Sequence, residues 1–275
     1  MVDISTYYDE HPINQIAIEN ALIRLGKSLE SLVPEDLFDF DQDHYGGPAA
    51  VDALAISGAV QAGDRVLDVC SGMGGPARYL AHNYDCFVTG IDVNQVRTVS
   101  ARQLTSRVAL EKKVSFVCGD ATKMPFENEK FTKIISQEAF LHIPDKASLF
   151  ANCWRVLQPG GCLTFTDWTA SPRLTDIERG ALGEGMAATA IHDENDYVNF
   201  LNSAGFVDVQ SEDISTWWSE ILRGRLKMYQ TKKEETEKLF GVARYREFME
   251  AYEIFVQAME ERRLGGSRFK AFREI

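Results

Sequence analysis

A short apolar run that ends in an acid and a glycine-rich turn constrains this chain most. Residues 66–69 (VLDV) predict a strand buried on both faces, residues 71–75 (SGMGG) a tight turn, and residues 75–84 the following helix. Because glycine lacks a Cβ, such a turn adopts positive φ angles and lets a ligand lie directly against the backbone. Strand, turn and helix in this order indicate a nucleotide-binding site.

Two kinds of ligand fit this turn. Gly72, Gly74 and Ala77 satisfy a loose G-x-G-x-x-A pattern, and Asp92 ends the next apolar run. An acid about 20 residues after the turn accepts hydrogen bonds from ribose hydroxyls, so a nicotinamide dinucleotide fits. Asp68, however, would repel a pyrophosphate, whereas it suits the cationic amino group of S-adenosylmethionine. Asp68 therefore favours S-adenosylmethionine.

The periodicity of the rest of the chain predicts an α/β fold with a doubly wound, mostly parallel sheet. Four more apolar runs alternate with segments of helical period, over residues 87–91, 114–118, 131–136 and 162–168. A sixth strand is expected over 204–209, then two long helices over 217–240 and 243–263. A closing strand over 267–273 is expected to run antiparallel, which makes seven strands with a helical insertion before the last.

The N-terminal part precedes this alternation. Apolar residues at intervals of three and four from Ile13 to Leu32 predict an amphipathic helix. That helix either packs on the domain surface or forms a lid with Tyr7 or Tyr8 reaching into a site. The loop over 37–47, dense in aromatic, acidic and glycine residues, is expected to line a site.

Length and charge set the outer limits. The 275 residues fit one domain over 1–275, with an N-terminal lid (1–47), a cofactor-binding core (48–168) and substrate-side helices and last strands (169–275). The net charge of −12 disfavours nucleic-acid or anionic-membrane partners, which leaves a small-molecule substrate. With neither a signal-peptide pattern at the start nor a membrane-length apolar run, a cytoplasmic protein is expected. Oligomeric state stays open.

The five cysteines show no C-x-x-C pair and no metal-ligand spacing with the five histidines. We therefore expect no metal site and no disulfide framework. Because most of them fall in or beside predicted strands, the cysteines are interpreted as reduced core residues.

Several motifs together resemble the class I S-adenosylmethionine-dependent methyltransferases, whose pattern covers residues 60–168. They are residues 66–75, Gly90-Ile91-Asp92, Gly119-Asp120-Ala121, Met124-Pro125-Phe126 and residues 156–161. Residues 41–47, residues 136–142 and Trp217-Trp218 followed by Tyr229 are similar to the sarcosine/dimethylglycine and phosphoethanolamine N-methyltransferases. The resemblance implies a Rossmann-like fold and methyl transfer.

The resemblance also implies a set of cofactor-binding residues. Asp68 and the Gly72 backbone would hold the methionine end, Asp92 the ribose hydroxyls, and Asp120 with Ala121 the adenine. Gln137 would lie along the cofactor, and His44 would sit in the loop that closes over it. The residues expected to bind S-adenosylmethionine and its product S-adenosylhomocysteine are His44, Asp68, Ser71, Gly72, Asp92, Asp120, Ala121 and Gln137.

The sequence departs from this family in three places. Cys70 stands where the family usually has glycine, and we expect the turn to survive because cysteine is small. Residues 186–190 (MAATA) lack the arginine and tyrosine that clasp the phosphate in the phosphoethanolamine enzymes. A sarcosine-like or another phosphate-free substrate is therefore expected. The family's N-terminal catalytic tyrosine has three candidate counterparts, Tyr7, Tyr8 and Tyr45.

Three side chains are candidates for catalysis: Tyr45, Glu138 and His142. His142, with an ordinary pKa of about 6.5, follows the fourth strand and suits a base that relays the amine proton, although it also suits a helix cap or packing against Pro144. Glu138 would orient the substrate ammonium. Rings of Tyr45, Trp168 and Trp217 would stabilise a methylated ammonium, while Trp217-Trp218 also fits helix packing.

The leading hypothesis is thus N-methylation of a sarcosine/dimethylglycine-like amine. C- or O-methylation of a natural-product intermediate is the main alternative, because residues 1–47 and 170–265 resemble the family least. An NAD(P)-dependent oxidoreductase and a non-catalytic cofactor-binding protein are the further alternatives.

Overall fold

A computed structural model describes residues 4–275, apart from the side chains of Glu235, Leu239 and Phe240. Its centre is one seven-stranded sheet. The strands are β1 Arg65–Val69, β2 Phe87–Asp92, β3 Val114–Cys118, β4 Phe131–Gln137, β5 Leu157–Ala170, β6 Phe206–Asp213 and β7 Leu264–Arg273. The helices are α1 Ile4–Asp9, α2 Gln15–Arg24, α3 Gly47–Ser57, α4 Gly75–Asn83, α5 Gln95–Arg107, α6 Lys146–Val156, α7 Asp176–Met186, α8 Glu194–Ser203, α9 Ser215–Thr231, α10 Lys233–Phe240 and α11 Val242–Glu260.

The strand order is β3-β2-β1-β4-β5-β7-β6, and β7 runs antiparallel to both of its neighbours. Alternate residues of a strand face opposite sides, so Val66 packs with α3 and α4 while Leu67 packs with α6 and α8. The predicted α/β class, seven strands, antiparallel closing strand and helical insertion before it are confirmed. Strand order reverses between β1 and β4, which is where open α/β sheets bind ligands.

The turn between β1 and α4 has the backbone that its glycines allow. Gly72 and Gly74 have φ angles of 51° and 78°, and a Cβ on Gly74 would lie 2.3 Å from Phe116 Cζ. A Cβ on Gly75 would lie 2.2 Å from the Asp41 carbonyl oxygen, so the 41–47 loop reaches the turn only because this residue is glycine. Cys70 adopts a φ of 60°, and the turn forms around it as expected.

Several predicted boundaries are wrong. The helix expected to Leu32 ends at Arg24, because Gly26 takes a positive φ and the chain turns; Ile18 and Leu22 are its buried residues. Helix α7 was not predicted, and the sixth strand begins at Phe206 and extends to Asp213. Two long helices were expected before β7, but the structure has three, α9, α10 and α11, because the helical backbone is interrupted near Lys232 and Gly241.

All five cysteines are free thiols. Cys86, Cys153 and Cys162 are buried, but the interpretation as core residues is wrong for Cys118, which is exposed at the end of β3. Cys70 is partly buried. Within residues 4–275, no helix is long and apolar enough to cross a bilayer, and no cluster of three or more His, Cys, Asp or Glu side chains is arranged to hold a metal ion.

Candidate functional site

A cavity of about 410 Å³ opens at the carboxyl edge of the parallel strands. Its walls come from α1, the 41–45 loop, the ends of β1 to β5, and helices α9 and α11. The structure brings every predicted site residue to this cavity: His44, Tyr45, Asp68, Ser71, Gly72, Asp92, Asp120, Ala121, Gln137, Glu138 and His142. Their convergence follows from the sheet, since parallel strands end at one edge.

Asp68 lies in the cavity wall at the switch point and is 3% exposed. Its Oδ2 atom is buried without a hydrogen-bond partner among residues 4–275. Burial, aided by the nearby Asp92, raises the pKa of this carboxyl group to about 8, although Arg78 opposes the shift. A buried carboxylate without a cation is costly, so this position suits a ligand that brings a positive charge.

A chain of side-chain hydrogen bonds fixes the orientation of Gln137. Arg78 forms a fully buried ion pair with Asp41 (2.8 Å), and Asp41 Oδ1 accepts from Gln42 Nε2 (2.6 Å). Gln42 Oε1 then accepts from His44 Nε2 (2.7 Å), which leaves His44 Nδ1 as the acceptor for Gln137 Nε2 (2.9 Å). Gln137 Oε1 is thereby left as a second buried acceptor without a partner in the described chain.

The carboxylate of Asp92 ends β2 in the same wall. Its Oδ2 accepts from the Gly72 amide (2.8 Å) and its Oδ1 from the Asn94 amide (2.8 Å). Each oxygen keeps a further lone pair, which is what ribose hydroxyls require. Asp120 caps the short 3-10 turn Ala121–Lys123 by accepting from Thr122, so its capping and cavity-lining interpretations both hold.

His142 and Tyr8 form a hydrogen-bonded pair in the cavity. Tyr8 Oη lies 3.0 Å from His142 Nε2, and His142 Nδ1 lies 2.8 Å from the Ala187 carbonyl oxygen. Because a carbonyl only accepts, Nδ1 carries the proton and Nε2 accepts from the tyrosine hydroxyl. Burial lowers the pKa of His142 to about 4, so the imidazole is neutral at pH 7. Of the three candidate tyrosines, Tyr8 is the one that contacts His142 in this way.

Glu138 holds the 41–47 loop against the sheet. One carboxyl oxygen accepts from the Tyr45 amide (2.8 Å) and the other from Thr166 Oγ1 (2.5 Å). Burial raises the pKa of Glu138 to about 8 despite these hydrogen bonds. The Tyr45 ring packs on Trp218 and Phe255, with centroids 5.2 Å and 6.0 Å away.

The other end of the cavity is mostly aromatic. Trp168, Tyr229, Phe248 and Tyr252 line it together with Met186. Trp217 lies outside this lining and packs against Gly46, while Trp218 is buried in the core, so that pair serves helix packing.

Arg225 and Tyr252 are cavity residues that the sequence analysis missed. Arg225 is one helical turn before Tyr229, and Tyr252 one turn after Phe248. The signal available in the sequence was the spacing of four residues, which places Arg225 beside Tyr229 and Tyr252 beside Phe248 on the same face of each helix.

These features test whether S-adenosylmethionine fits. Its ammonium has two buried, unpartnered acceptors in Asp68 Oδ2 and Gln137 Oε1. The ribose hydroxyls could donate to the free lone pairs of the Asp92 carboxylate. Asp120 and Ala121 line the neighbouring part of the cavity wall. The residues present therefore fit this cofactor, and Asp68 fits it better than it fits a pyrophosphate.

A family profile described as methyltransferase domain matches residues 67–165. The methyltransferase GfsG of Streptomyces halstedii is 31% identical over 193 residues, covering 64% of this chain and 69% of the relative. The glycine/sarcosine/dimethylglycine N-methyltransferase of Actinopolyspora halophila is 28% identical over 177 residues, covering 64% of this chain and 31% of the relative. The chain spans about a third of the length of the first plant phosphoethanolamine N-methyltransferases that it matches.

Among solved structures, phosphoethanolamine N-methyltransferase 2 of Haemonchus contortus, in complex with phosphomonomethylethanolamine and S-adenosylhomocysteine, superposes with a TM-score of 0.79. It is 20% identical, and the match covers 100% of this chain and 61% of that one. At this identity the likeness establishes the fold. Fold, motif order and the GfsG match agree: the chain belongs to the class I S-adenosylmethionine-dependent methyltransferases.

Proposed function

We propose that this protein methylates the nitrogen of a small, phosphate-free amine of the sarcosine or dimethylglycine type. The observation that carries the proposal is the Tyr8 Oη to His142 Nε2 hydrogen bond in the cavity that also contains Asp68. The similarity to the Actinopolyspora halophila enzyme supports the substrate type.

The cofactor end is assigned to the acidic and amide side chains of the first four strands. Asp68 and Gln137 would hold the ammonium, Asp92 the ribose, and Asp120 with Ala121 the adenine. Ser71, Gly72 and His44 complete that wall. When bound, S-adenosylmethionine supplies the methyl group together with its own leaving group.

The Tyr8–His142 pair is proposed to handle the proton of the acceptor. An amine attacks only through its free lone pair, so an ammonium must first lose a proton. Since the Tyr8 hydroxyl donates to His142, its oxygen lone pairs are available to an N–H group in the cavity. Tyr8 passes its proton to His142 Nε2 as it receives the proton of the acceptor. Because the pKa of His142 is lowered to about 4 and its Nδ1–H is held by the Ala187 carbonyl, the imidazolium returns the proton through Tyr8 to water that enters the cavity when the product leaves.

The wall over residues 186–190 supports an acceptor without phosphate. Met186 lines the cavity, and Ala187, Ala188 and Ala190 are buried and apolar. This segment therefore offers no guanidinium fork to a phosphomonoester. Glu138 and Tyr45 are proposed to shape the acceptor site by holding the 41–47 loop in place.

A labelled-methyl assay tests this proposal. Purified protein is incubated with methyl-labelled S-adenosylmethionine and glycine, sarcosine, dimethylglycine, phosphoethanolamine or small phenols. We expect label in sarcosine or dimethylglycine, a loss of about 10²–10³-fold with His142→Asn, and no loss with His192→Asn, a partly exposed histidine outside the cavity. Efficient labelling of phosphoethanolamine, or full activity of His142→Asn, contradicts the proposal.

The aromatic lining at the substrate end favours a second candidate, C- or O-methylation of a larger natural-product intermediate. The same tyrosine–histidine pair would accept the proton of a hydroxyl group. Label in phenols but in none of the amines would select this candidate. Binding of NADH in place of S-adenosylhomocysteine would instead restore the oxidoreductase alternative, and cofactor binding without any transfer would indicate a non-catalytic protein.

The division into lid, core and substrate-side segments stays a prediction, supported by the cavity, which takes residues from all three. A cytoplasmic location and a partnership limited to small molecules stay predictions from the sequence.

A further inference from the structure

The substrate end of the cavity contains an arginine without a carboxylate partner. Arg225 donates from Nη1 to the Asp43 carbonyl (2.8 Å) and from Nη2 to the His44 carbonyl (2.6 Å). Its guanidinium lies 5.0 Å from the centroid of the Tyr45 ring. Among the side chains that the structure describes, no carboxylate lies within ion-pair distance of it. Two N–H groups are thus used on neutral acceptors, and three stay available.

Two further donors next to it have no acceptor. Trp168 Nε1 and Tyr252 Oη are buried without a hydrogen-bond partner in the described chain, and each residue is 2% exposed. Both residues line the cavity and contact the Phe255 ring, at centroid distances of 3.9 Å and 5.8 Å. Tyr45, which lies under Arg225, contacts the same ring at 6.0 Å. The three donors therefore belong to one cluster.

The surrounding charges compensate the arginine only in part. Asp43 is the acid whose charge acts on Arg225, but its carboxylate pairs with Arg97 (2.8 Å) and lies 3.7 Å from His11. His11, Arg97 and Arg225 itself together outweigh burial and hold the pKa of Asp43 at about 2. The pKa of the nearby Glu138 is about 8, so this group is mostly neutral at pH 7. The guanidinium of Arg225 and the two neutral donors thus line the cavity, and in the described chain none of the three is hydrogen-bonded to a carboxylate.

We propose that Arg225, Tyr252 and Trp168 bind a carboxylate of the methyl acceptor. Buried donors without acceptors are costly and are satisfied by an oxyanion, and one guanidinium balances one negative charge. The proposal rests on the proposed methyl transfer and specifies its substrate class as amino acids rather than neutral amines, phenols or phosphomonoesters.

The topology assigns this group to the acceptor and not to the cofactor's own carboxylate. The acids assigned to the cofactor end strands β1, β2 and β3, whereas Trp168 lies in β5, which β4 separates from β1. Arg225 and Tyr252 come from α9 and α11, beyond β5 in the chain. Trp168 and Tyr252, which both contact the Phe255 ring, thus lie on the opposite side of the switch point from Asp92, and Arg225 contacts the 43–44 loop between the two groups.

Calorimetric titration of the S-adenosylhomocysteine complex tests the proposal without relying on turnover. N,N-dimethylglycine is compared with its methyl ester and with phosphodimethylethanolamine, in wild type, Arg225→Gln and Tyr252→Phe. Arg223→Gln is the matched control, because Arg223 lies on the same helix but is exposed and pairs with Glu260. The phenylalanine variant keeps the ring and deletes only the hydroxyl, so it separates donor loss from any disturbance of the 43–44 loop.

We expect wild type to prefer the acid over the ester by about 10- to 100-fold. Arg225→Gln should reduce that preference to near unity, Tyr252→Phe should lower it severalfold, and Arg223→Gln should leave it unchanged. Equal binding of acid and ester by wild type, or tighter binding of the phosphate compound, overturns the proposal. A parallel loss of S-adenosylhomocysteine affinity in Tyr252→Phe would reassign the donors to the cofactor and also overturn it. Acid preference with no label transferred to any amine would support this site while contradicting N-methylation.

Discussion

Cofactor binding should be coupled to the loss of a proton from Asp68. The pKa of this carboxyl group is about 8 without a ligand, because it is buried beside Asp92 and lacks a partner. At pH 7 the group is therefore mostly protonated, and ionising it costs about 1.4 kcal/mol. An ammonium placed against it favours the charged form and lowers its pKa by about 2–3 units. Binding then releases a proton at any pH between the two values.

The sign and size of the effect follow from this linkage. Since the free protein binds the extra proton, affinity rises with pH and levels off above pH 8. Between pH 6 and pH 8 the Kd for S-adenosylhomocysteine should fall by about 25- to 50-fold. Asp68→Asn cannot titrate, so its Kd should be flat over this range and roughly 10- to 100-fold weaker than wild type at pH 8.

Titration calorimetry in buffers of different ionisation enthalpy measures both the Kd and the proton released. Glu138→Gln is the matched control, because the pKa of Glu138 is also about 8 but both of its oxygens already accept hydrogen bonds from protein donors. That variant should keep the pH dependence. A wild-type Kd that changes less than twofold from pH 6 to pH 8, or a slope that persists in Asp68→Asn, refutes the reasoning.

Three further changes test the catalytic pair, the turn and the loop. In steady-state assays, Tyr8→Phe and His142→Asn should each lower kcat by about 10²–10³-fold, and the double variant should lose little more. In binding assays, the affinity of these variants for S-adenosylhomocysteine should change less than threefold. Gly74→Ala should lower the free energy of unfolding in urea by about 3 kcal/mol, because the added Cβ would overlap the Phe116 ring. Gly47→Ala is the control: Gly47 also has a positive φ but has open space around it, so the substitution should lower the free energy of unfolding by about 1 kcal/mol. Arg78→Met leaves a buried carboxylate unpaired and should cost about 3–5 kcal/mol in the same assay, with weaker cofactor binding if the loop moves.

The sequence predicts which residues at the strand ends line the cavity, because those residues belong to local patterns. Asp68, Gly72 and Asp92 follow apolar runs of strand length, and the parallel sheet brings the ends of those runs together. Gly75 permits the close approach of the 41–47 loop, but no sequence pattern predicts that this loop contacts Gly75. Local patterns thus identify the wall, while contacts between distant segments have to be read from the structure.

The substrate wall is less predictable because tertiary packing decides it. Tyr8 and His142 are separated by 134 positions in the chain. The sequence does not tell which of Tyr7, Tyr8 and Tyr45 contacts His142, because that depends on where the fold places each ring. Apolar periodicity predicts the helices that carry Arg225 and Tyr252, but it does not say which residue at the margin of the buried face meets a cavity. The end of α2 at Arg24 shows the same limit, since the apolar spacing continues past a glycine that turns the chain.

The arrangement of charge in the cavity connects the two walls. Among the cavity residues, acceptors that lack a donor lie on β1 and β4, and donors that lack an acceptor lie on β5, on α11 and, with Arg97 Nε, on α5. An amino acid carries no net charge at pH 7, so the net charge of −12 does not steer it, and its carboxylate has to be recognised by donors inside the cavity. A donor cluster beyond β4 would place an amino acid with its carboxylate away from the acids and its nitrogen towards Tyr8 and the methyl donor. Reversing the charge of the cluster with Arg225→Glu should therefore abolish acid binding, while the pH dependence of S-adenosylhomocysteine binding, which Asp68 sets, should persist. Loss of that pH dependence together with acid binding would mean that the two walls are not independent.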